Sequence, residues 1–311
     1  MNKLLIVLII FFCGLSPIFL QGKSIKWIPF LWQGDTISGK YIEKAYIYVP
    51  VKLDELPIDF TMQLDLGTAE TQIYGNTIRP YLEKYPSLAN KLDSIGKFQK
   101  IIFRDVNLKM GSTIFLFDIW HHLGFGEEIS KDVKQSKKSV HIGTIAPDLF
   151  KNKILIIDYR LNRFAVIDKI PVEYQRLPTV PFELINGVIV FPFQINGIEQ
   201  RVMFDTGSST FPLATSRERA LEISQSKIVD SLSGPLWWGR YITFYGLKVD
   251  KPIKFDGKEL EKTIVYYDKE GLWEKNVFRP FNIWGLTGNA YFLNDIIIID
   301  YKNKIFRIKK N

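Results

Sequence analysis

The sequence predicts an all-β protein made of two homologous halves. Three observations carry this. Runs of β-branched and aromatic residues with strand-type alternation recur along the chain, whereas helical periodicity is confined to two stretches, 77–92 and 215–223. The chain also repeats itself at long range, and each copy ends one strand on an aspartate followed by a Gly-containing turn. Hydrophobic content of 46% and aromatic content of 14% are enough for packed cores and argue against disorder.

The first 22 residues, MNKLLIVLIIFFCGLSPIFLQG, place one early lysine before an apolar stretch from Leu4 to Leu20. This is a secretory signal pattern and is set apart from the fold as segment 1–22. A retained membrane anchor is the alternative, because the stretch is close to the ~17-residue minimum of a spanning helix. Cys13 is the only cysteine. A mature chain would then have no disulfide and no cysteine chemistry. An exported chain of that kind fits a bacterial envelope, periplasm or medium better than a eukaryotic secretory route.

The first half, 23–170, predicts strands at about 44–51, 58–65, 100–108, 113–119, 153–158 and 163–167. Residues 77–92 predict a helix broken by Pro86. Three prolines in DKIPVEYQRLPTVP (168–181) mark the boundary. The second half, 171–311, predicts strands at about 187–195, 199–205, 240–247, 252–255, 262–267, 295–300 and 304–308, with a helix over 215–223. Asn196-Gly197 centres a hairpin turn.

The repeat aligns these halves. GTIAPDLFKNKILIIDYRLNRFAVI (143–167) matches GLTGNAYFLNDIIIIDYKNKIFRI (285–308), with Asp158 opposite Asp300 at an offset of 142. Upstream, Pro50 aligns with Pro192 at the same offset, and Asp65 aligns with Asp205 at an offset of 140. The opening of each turn is therefore QLDLGTAET (63–71) in one half and RVMFDTGSST (201–210) in the other.

Two carboxylates brought together can do acid–base work. At about 3 Å they cannot both ionise, so they share one proton. The ionised member can take a proton from water while the other donates to a carbonyl. A hydroxyl three positions on, Thr68 or Ser208, can donate to its aspartate. Gly67 and Gly207 permit a tight turn that turns backbone N–H groups toward the carboxylate. Thr206 can reach the opposite turn.

MFDTGSST resembles the signature of the pepsin and retropepsin superfamily of aspartic proteases. WGLTGNAYFLNDIIIID (284–300) is similar to that family's apolar-apolar-Gly element, with Gly288 in its place. The whole is similar to bacterial two-lobed aspartyl-protease-like proteins. The resemblance implies two pepsin-like β-barrel lobes flanking a cleft, catalytic Asp65 and Asp205, and Gly67, Thr68, Thr206, Gly207, Ser208 and Gly288 in support. It implies an extended peptide or protein substrate, no cofactor and a monomer. An inactive homologue that binds peptides or proteins is the alternative. Two departures favour it: Leu66 replaces the expected hydroxyl residue, and Ala146 stands where the other half has Gly288. A hairpin flap from the first lobe is expected around 93–100 with Gly96 near its tip, and its counterpart around 231–240 with Gly234. Trp237, Trp238 and Trp284 are candidates for the cleft wall, with core packing as the competing role.

Other chemistries are disfavoured. The net charge of +8 is spread without a run of five basic residues, so no nucleic-acid partner is expected. HHLGFGEE offers His121, His122, Glu127 and Glu128, but the spacing is not HExxH, and neighbours on a strand face opposite ways. No metal is expected. A serine nucleophile would need a base, and the second half contains no histidine.

Overall fold

The computed structural model describes residues 25–310 except 98, 130–138 and 262. Residues 1–22, expected from the sequence to be a secretory signal, lie outside the described residues. Strands dominate, joined by short helices, so the chain is all-β. Among the described residues no helix is long and apolar enough to cross a membrane.

Three sheets organise the chain. An eight-stranded sheet is drawn from the first half and a ten-stranded sheet from the second, and a six-stranded sheet takes strands from both. The first two share a central order. In the first half, the hairpin Lys40–Leu53/Phe60–Leu64 pairs in parallel with Val140–Ile145. Gln72–Tyr74 then pairs antiparallel with that strand and parallel with Thr113–His122. In the second half, Val188–Ile195/Ile198–Phe204 pairs in parallel with Gly285–Thr287. Leu213–Thr215 then pairs antiparallel with that strand and parallel with Ile264–Asp268. The sequence repeat is therefore a repeat of strand order and direction.

The six-stranded sheet joins the halves. Ile154–Asp158 lies antiparallel to Ile296–Asp300, with Ile156 opposite Ile298. These two are repeat mates, so the pairing has a local twofold character. Both strands are buried along their whole length, which explains their unbroken apolar runs. Each ends on an aspartate that caps the following turn. Asp158 accepts from Leu161 N–H, and Asp300 from Asn303 N–H. Ile28–Pro29 and Val180–Pro181 close the two edges.

The predicted helices form in pieces. Gly75–Lys84 is followed by Pro86–Ala89, so the chain breaks at the proline. Arg217–Glu222 is capped by the Ser216 hydroxyl.

Two hairpins exceed the sequence expectation. Leu31–Ile37 pairs with Lys40–Leu53 through a turn at Ser38 and Gly39. Its tip crosses to the second half, where Ile37 is buried in a cluster with Val188, Met203 and Phe211. Ser224–Trp237 is a 14-residue strand paired with Arg240–Val249. Polar residues, a glycine and a proline disguise it in the sequence, as suits an edge strand interrupted by bulges.

Candidate active site

Asp65 follows the strand Phe60–Leu64, and its N–H donates to Ile145 O at 2.9 Å. Asp205 follows Ile198–Phe204, and its N–H donates to Thr287 O at 3.0 Å. Parallel pairing behind each turn thus fixes both aspartates in the same way. The turns meet at the junction of the halves, where each carboxyl group lies against the glycine of the opposite turn and the two groups shift one another's titration.

Each carboxylate is held by its own turn. Gly67 N–H donates to Asp65 Oδ1 at 2.9 Å, and Gly207 N–H to Asp205 Oδ1 at 2.8 Å. Neither glycine has a positive φ, so tight-turn geometry is not what demands them. The requirement is space across the junction. A Cβ on Gly67 would overlap the Asp205 carboxyl carbon, and one on Gly207 would come within 2.5 Å of that of Asp65. Each glycine clears room for the opposite aspartate.

The helpers are unequal. Ser208 Oγ donates to Asp205 Oδ2 at 2.7 Å. The Thr68 hydroxyl does not bond Asp65 as the sequence suggested; its backbone N–H only favours the charged form, together with that of Gly67. Burial raises the titration of both carboxyls. Asp65 is pushed well above the usual carboxylate range by burial and then by the charge of Asp205. Asp205 is raised by burial, while the Ser208 hydroxyl and the Gly207 N–H favour its charged form. The Ser208 hydroxyl thus favours charge on Asp205, and Asp65, without such a donor, is the one raised further.

Thr206 is fully buried and ties the turns together. Its hydroxyl donates to Leu64 O at 2.8 Å and accepts from Leu66 N–H at 2.9 Å. Leu66 has no hydroxyl to return the contact, and its side chain is buried in the main core instead.

The second departure is also absorbed. Gly288 lies so close to the Asp205 turn that a Cβ would meet Ser208 C at 2.8 Å, and its N–H donates to Phe211 O. Ala146 N–H instead donates to the Thr71 hydroxyl at 3.0 Å. That hydroxyl donates to Asp148 at 2.6 Å, and Thr71 N–H donates to the same carboxylate. A side chain stands where the other half uses a backbone carbonyl.

The sequence reading missed Asn289, which directly follows Gly288. Its amide donates to Thr206 O at 3.1 Å and to Ser209 Oγ, and it accepts from Tyr159 OH at 2.6 Å. The repeat places Pro147 at the matching position, so only the Asp205 turn is braced this way. A polar residue directly after the Gly of the apolar-apolar-Gly element was the available signal.

A cavity of about 420 Å³ opens over the dyad and includes Asp65, Asp205, Gly67, Gly207 and Ser208. Trp237 and Trp238 line it, as expected; Trp273, Tyr46, Tyr74 and Gln63 were not anticipated. Trp284 does not line it. It is buried in the main core, with its backbone carbonyl accepting from Thr215 and Arg219.

The cover differs from the expectation too. Gly96 sits at a hairpin turn with open space around it and does not line the cavity. Gly234 is not a tip either; it lies within a strand opposite Ile242. The tip of that longer hairpin is Trp238-Gly239, both at positive φ. A tryptophan at φ 48° is unusual. Its ring rests 5.3 Å from Phe125 and 6.4 Å from His122 of the first half. Further along, Ser233 N–H donates to Ser38 Oγ, and Lys40 pairs with Asp230 at 2.7 Å. The hairpin is thus held at two points by the first half.

The histidines serve packing. His121 is buried, His122 stacks between Trp120 and Phe125, and His141 stacks on Tyr48 with its titration lowered to about 4 by burial. Glu128 pairs with Arg79. Among the described residues no group of three or more His, Cys, Asp or Glu could hold a metal ion.

Compared with known proteins, the chain matches no family model and no curated sequence.

Proposed function

We propose that the protein is a two-lobed, pepsin-like aspartic endopeptidase that hydrolyses peptides with a water activated by Asp65 and Asp205. The observation that carries this reading is the meeting of two carboxyls, Asp205 buried and Asp65 half-buried, from matching turns of two repeats, at one cavity. Asp205, the charged member, takes a proton from water as the water oxygen adds to the scissile carbonyl carbon. Asp65 gives its proton to the carbonyl oxygen. In the collapse of the tetrahedral gem-diol the C–N bond breaks, Asp205 passes its proton to the leaving amine, and Asp65 recovers a proton from a gem-diol hydroxyl as the C=O re-forms, so the dyad again holds one proton. Thr206 holds the two turns in register, and Asn289 stiffens the Asp205 side. The reaction needs neither metal nor cofactor.

On this reading the chain is exported to a bacterial envelope or medium and works as a monomer. A membrane association would follow if the N-terminal segment were kept.

A second reading, a peptide-binding module without catalysis, is favoured by Leu66, which leaves only one of two cross-junction hydroxyl contacts. Cleavage of a random peptide library across pH 3–8, by wild type and by Asp205→Asn, separates the two. The peptidase reading expects cleavage that disappears in Asp205→Asn. Cleavage that survives the substitution contradicts the dyad, and peptide binding without cleavage at any pH supports the module.

A further inference from the structure

The repeat makes the two walls of the cavity comparable position by position, and their chemistry differs. Gln63 and Met203 occupy matching places, each two residues before its aspartate. On a strand that spacing puts them on the same face as the carboxylates. Both line the cavity. A second matching pair is Thr144 and Leu286. Leu286 lines the cavity, whereas Thr144 is engaged by the Tyr74 hydroxyl at 2.5 Å, with Tyr74 forming the wall in front.

The second-half wall is apolar. Met203, Trp237, Trp273, Val277, Phe281 and Leu286 line it. Asn276 is its polar exception, and its amide turns back to Leu272 O at 2.7 Å. The first-half wall is built from Tyr46, Gln63 and Tyr74, with Phe125 committed to Tyr74 and Trp238. Both tyrosine hydroxyls are occupied, Tyr46 by Asp35 and Tyr74 by Thr144. Gln63 is half-buried, and among the described residues its amide makes no hydrogen bond. It offers both a donor and acceptors to a ligand.

We infer that the cleft selects a peptide with a bulky apolar side chain on one side of the dyad and a hydrogen-bonding side chain on the other, with Gln63 and Met203 setting the difference. The inference rests on the cleft being a peptide site, but not on its being catalytically competent. An apolar residue facing Gln63 would leave the amide desolvated and unpaired, whereas an amide or hydroxyl would satisfy it. The apolar wall has the opposite preference, because a polar group set against Met203, Phe281 or Leu286 finds no partner there.

Non-cleavable peptides with a central hydroxyethylene unit test this without requiring turnover. Three are compared: Phe before the unit and Asn after it, the reverse order, and Phe before with Leu after. Asn and Leu are close in size, so the comparison isolates polarity. Quenching of tryptophan fluorescence reads binding, since Trp237 and Trp273 line the cavity. One of the two mixed peptides should bind about tenfold more tightly than the Phe–Leu peptide. Gln63→Leu should reverse that ranking, and the near-isosteric Gln63→Met should do the same with less disturbance. The inference is overturned if the Phe–Leu peptide binds as well as both mixed peptides, if both variants keep the wild-type ranking, or if none of the peptides binds. Ranked binding without peptide cleavage would remove the peptidase reading alone. Asp205-dependent cleavage that prefers apolar residues on both sides would remove this inference alone.

Discussion

At the scale of single residues, the dyad rests on contacts that cross the junction. The aspartates were legible because each closes a strand and is followed two places on by glycine. The reason for the glycines was not, since it lies in the carboxylate of the opposite half. Leu66 was legible as a lost hydroxyl, but not as a core residue that occupies its own buried place. Thr206 is therefore the single hydroxyl that joins the turns. Thr206→Val keeps its shape and removes both bonds. It should lower unfolding free energy in urea by about 3 kcal/mol, because Leu64 O and Leu66 N–H would be left unpaired and buried. Thr206→Ser should recover most of the loss. A cost below about 0.5 kcal/mol for the valine would show that the junction does not depend on this hydroxyl.

At the scale of elements, the predicted strands were found where β-branched residues run together, as in Ile154–Asp158 and Ile296–Asp300. Ser224–Trp237 was not recognised as a strand, because an edge strand with little buried surface carries weak alternation. That omission moved the tip of the cover from Trp238-Gly239 to Gly234. It also hid the fact that the cover over the cavity belongs to the second half. Trp284 was misplaced for a related reason: a tryptophan near the motif has the same composition whether it faces a cavity or a core. The hairpin's attachment makes a clear prediction. Trp238→Ala removes the ring contact with Phe125, of a kind worth about 1 kcal/mol. Amide hydrogen exchange at 240–244 should then speed up several-fold while Val188–Ile195 keeps its protection. Unchanged exchange at 240–244 would mean that the tip is not held by this contact.

At the scale of the whole molecule, the repeat was the most legible feature, and it returns as matching strand order and as the Ile156–Ile298 pairing in the shared sheet. What the repeat concealed is that its copies have diverged around the dyad: Ser208 against Thr68, Gly288 against Ala146, Asn289 against Pro147, Met203 against Gln63. Of these, Ser208 against Thr68 favours charge on Asp205, and the titration of Asp65 is raised well above the usual carboxylate range, with consequences for stability. A carboxyl titrating above its unfolded value stabilises the fold most where it is protonated. The contribution is lost as pH rises through the folded value. Wild type should therefore lose stability relative to Asp65→Asn as pH rises from about 4 to 8, with the melting temperatures diverging by at least about 3 °C. His141, neutral when folded down to about pH 4, opposes this trend in both proteins and cancels in the difference. Parallel melting curves across that range would show that Asp65 carries no buried proton.

The most direct test of the shared proton is a titration of the aspartate side-chain carboxyl carbons by NMR, comparing wild type with Asp205→Asn. In wild type one carboxyl, assigned to Asp65, should keep its proton well above the usual range near 4. Its resonance should respond when Asp205 is replaced. If the Asp65 and Asp205 resonances both titrate independently near 4, the carboxyls share no proton and the proposed dyad is wrong.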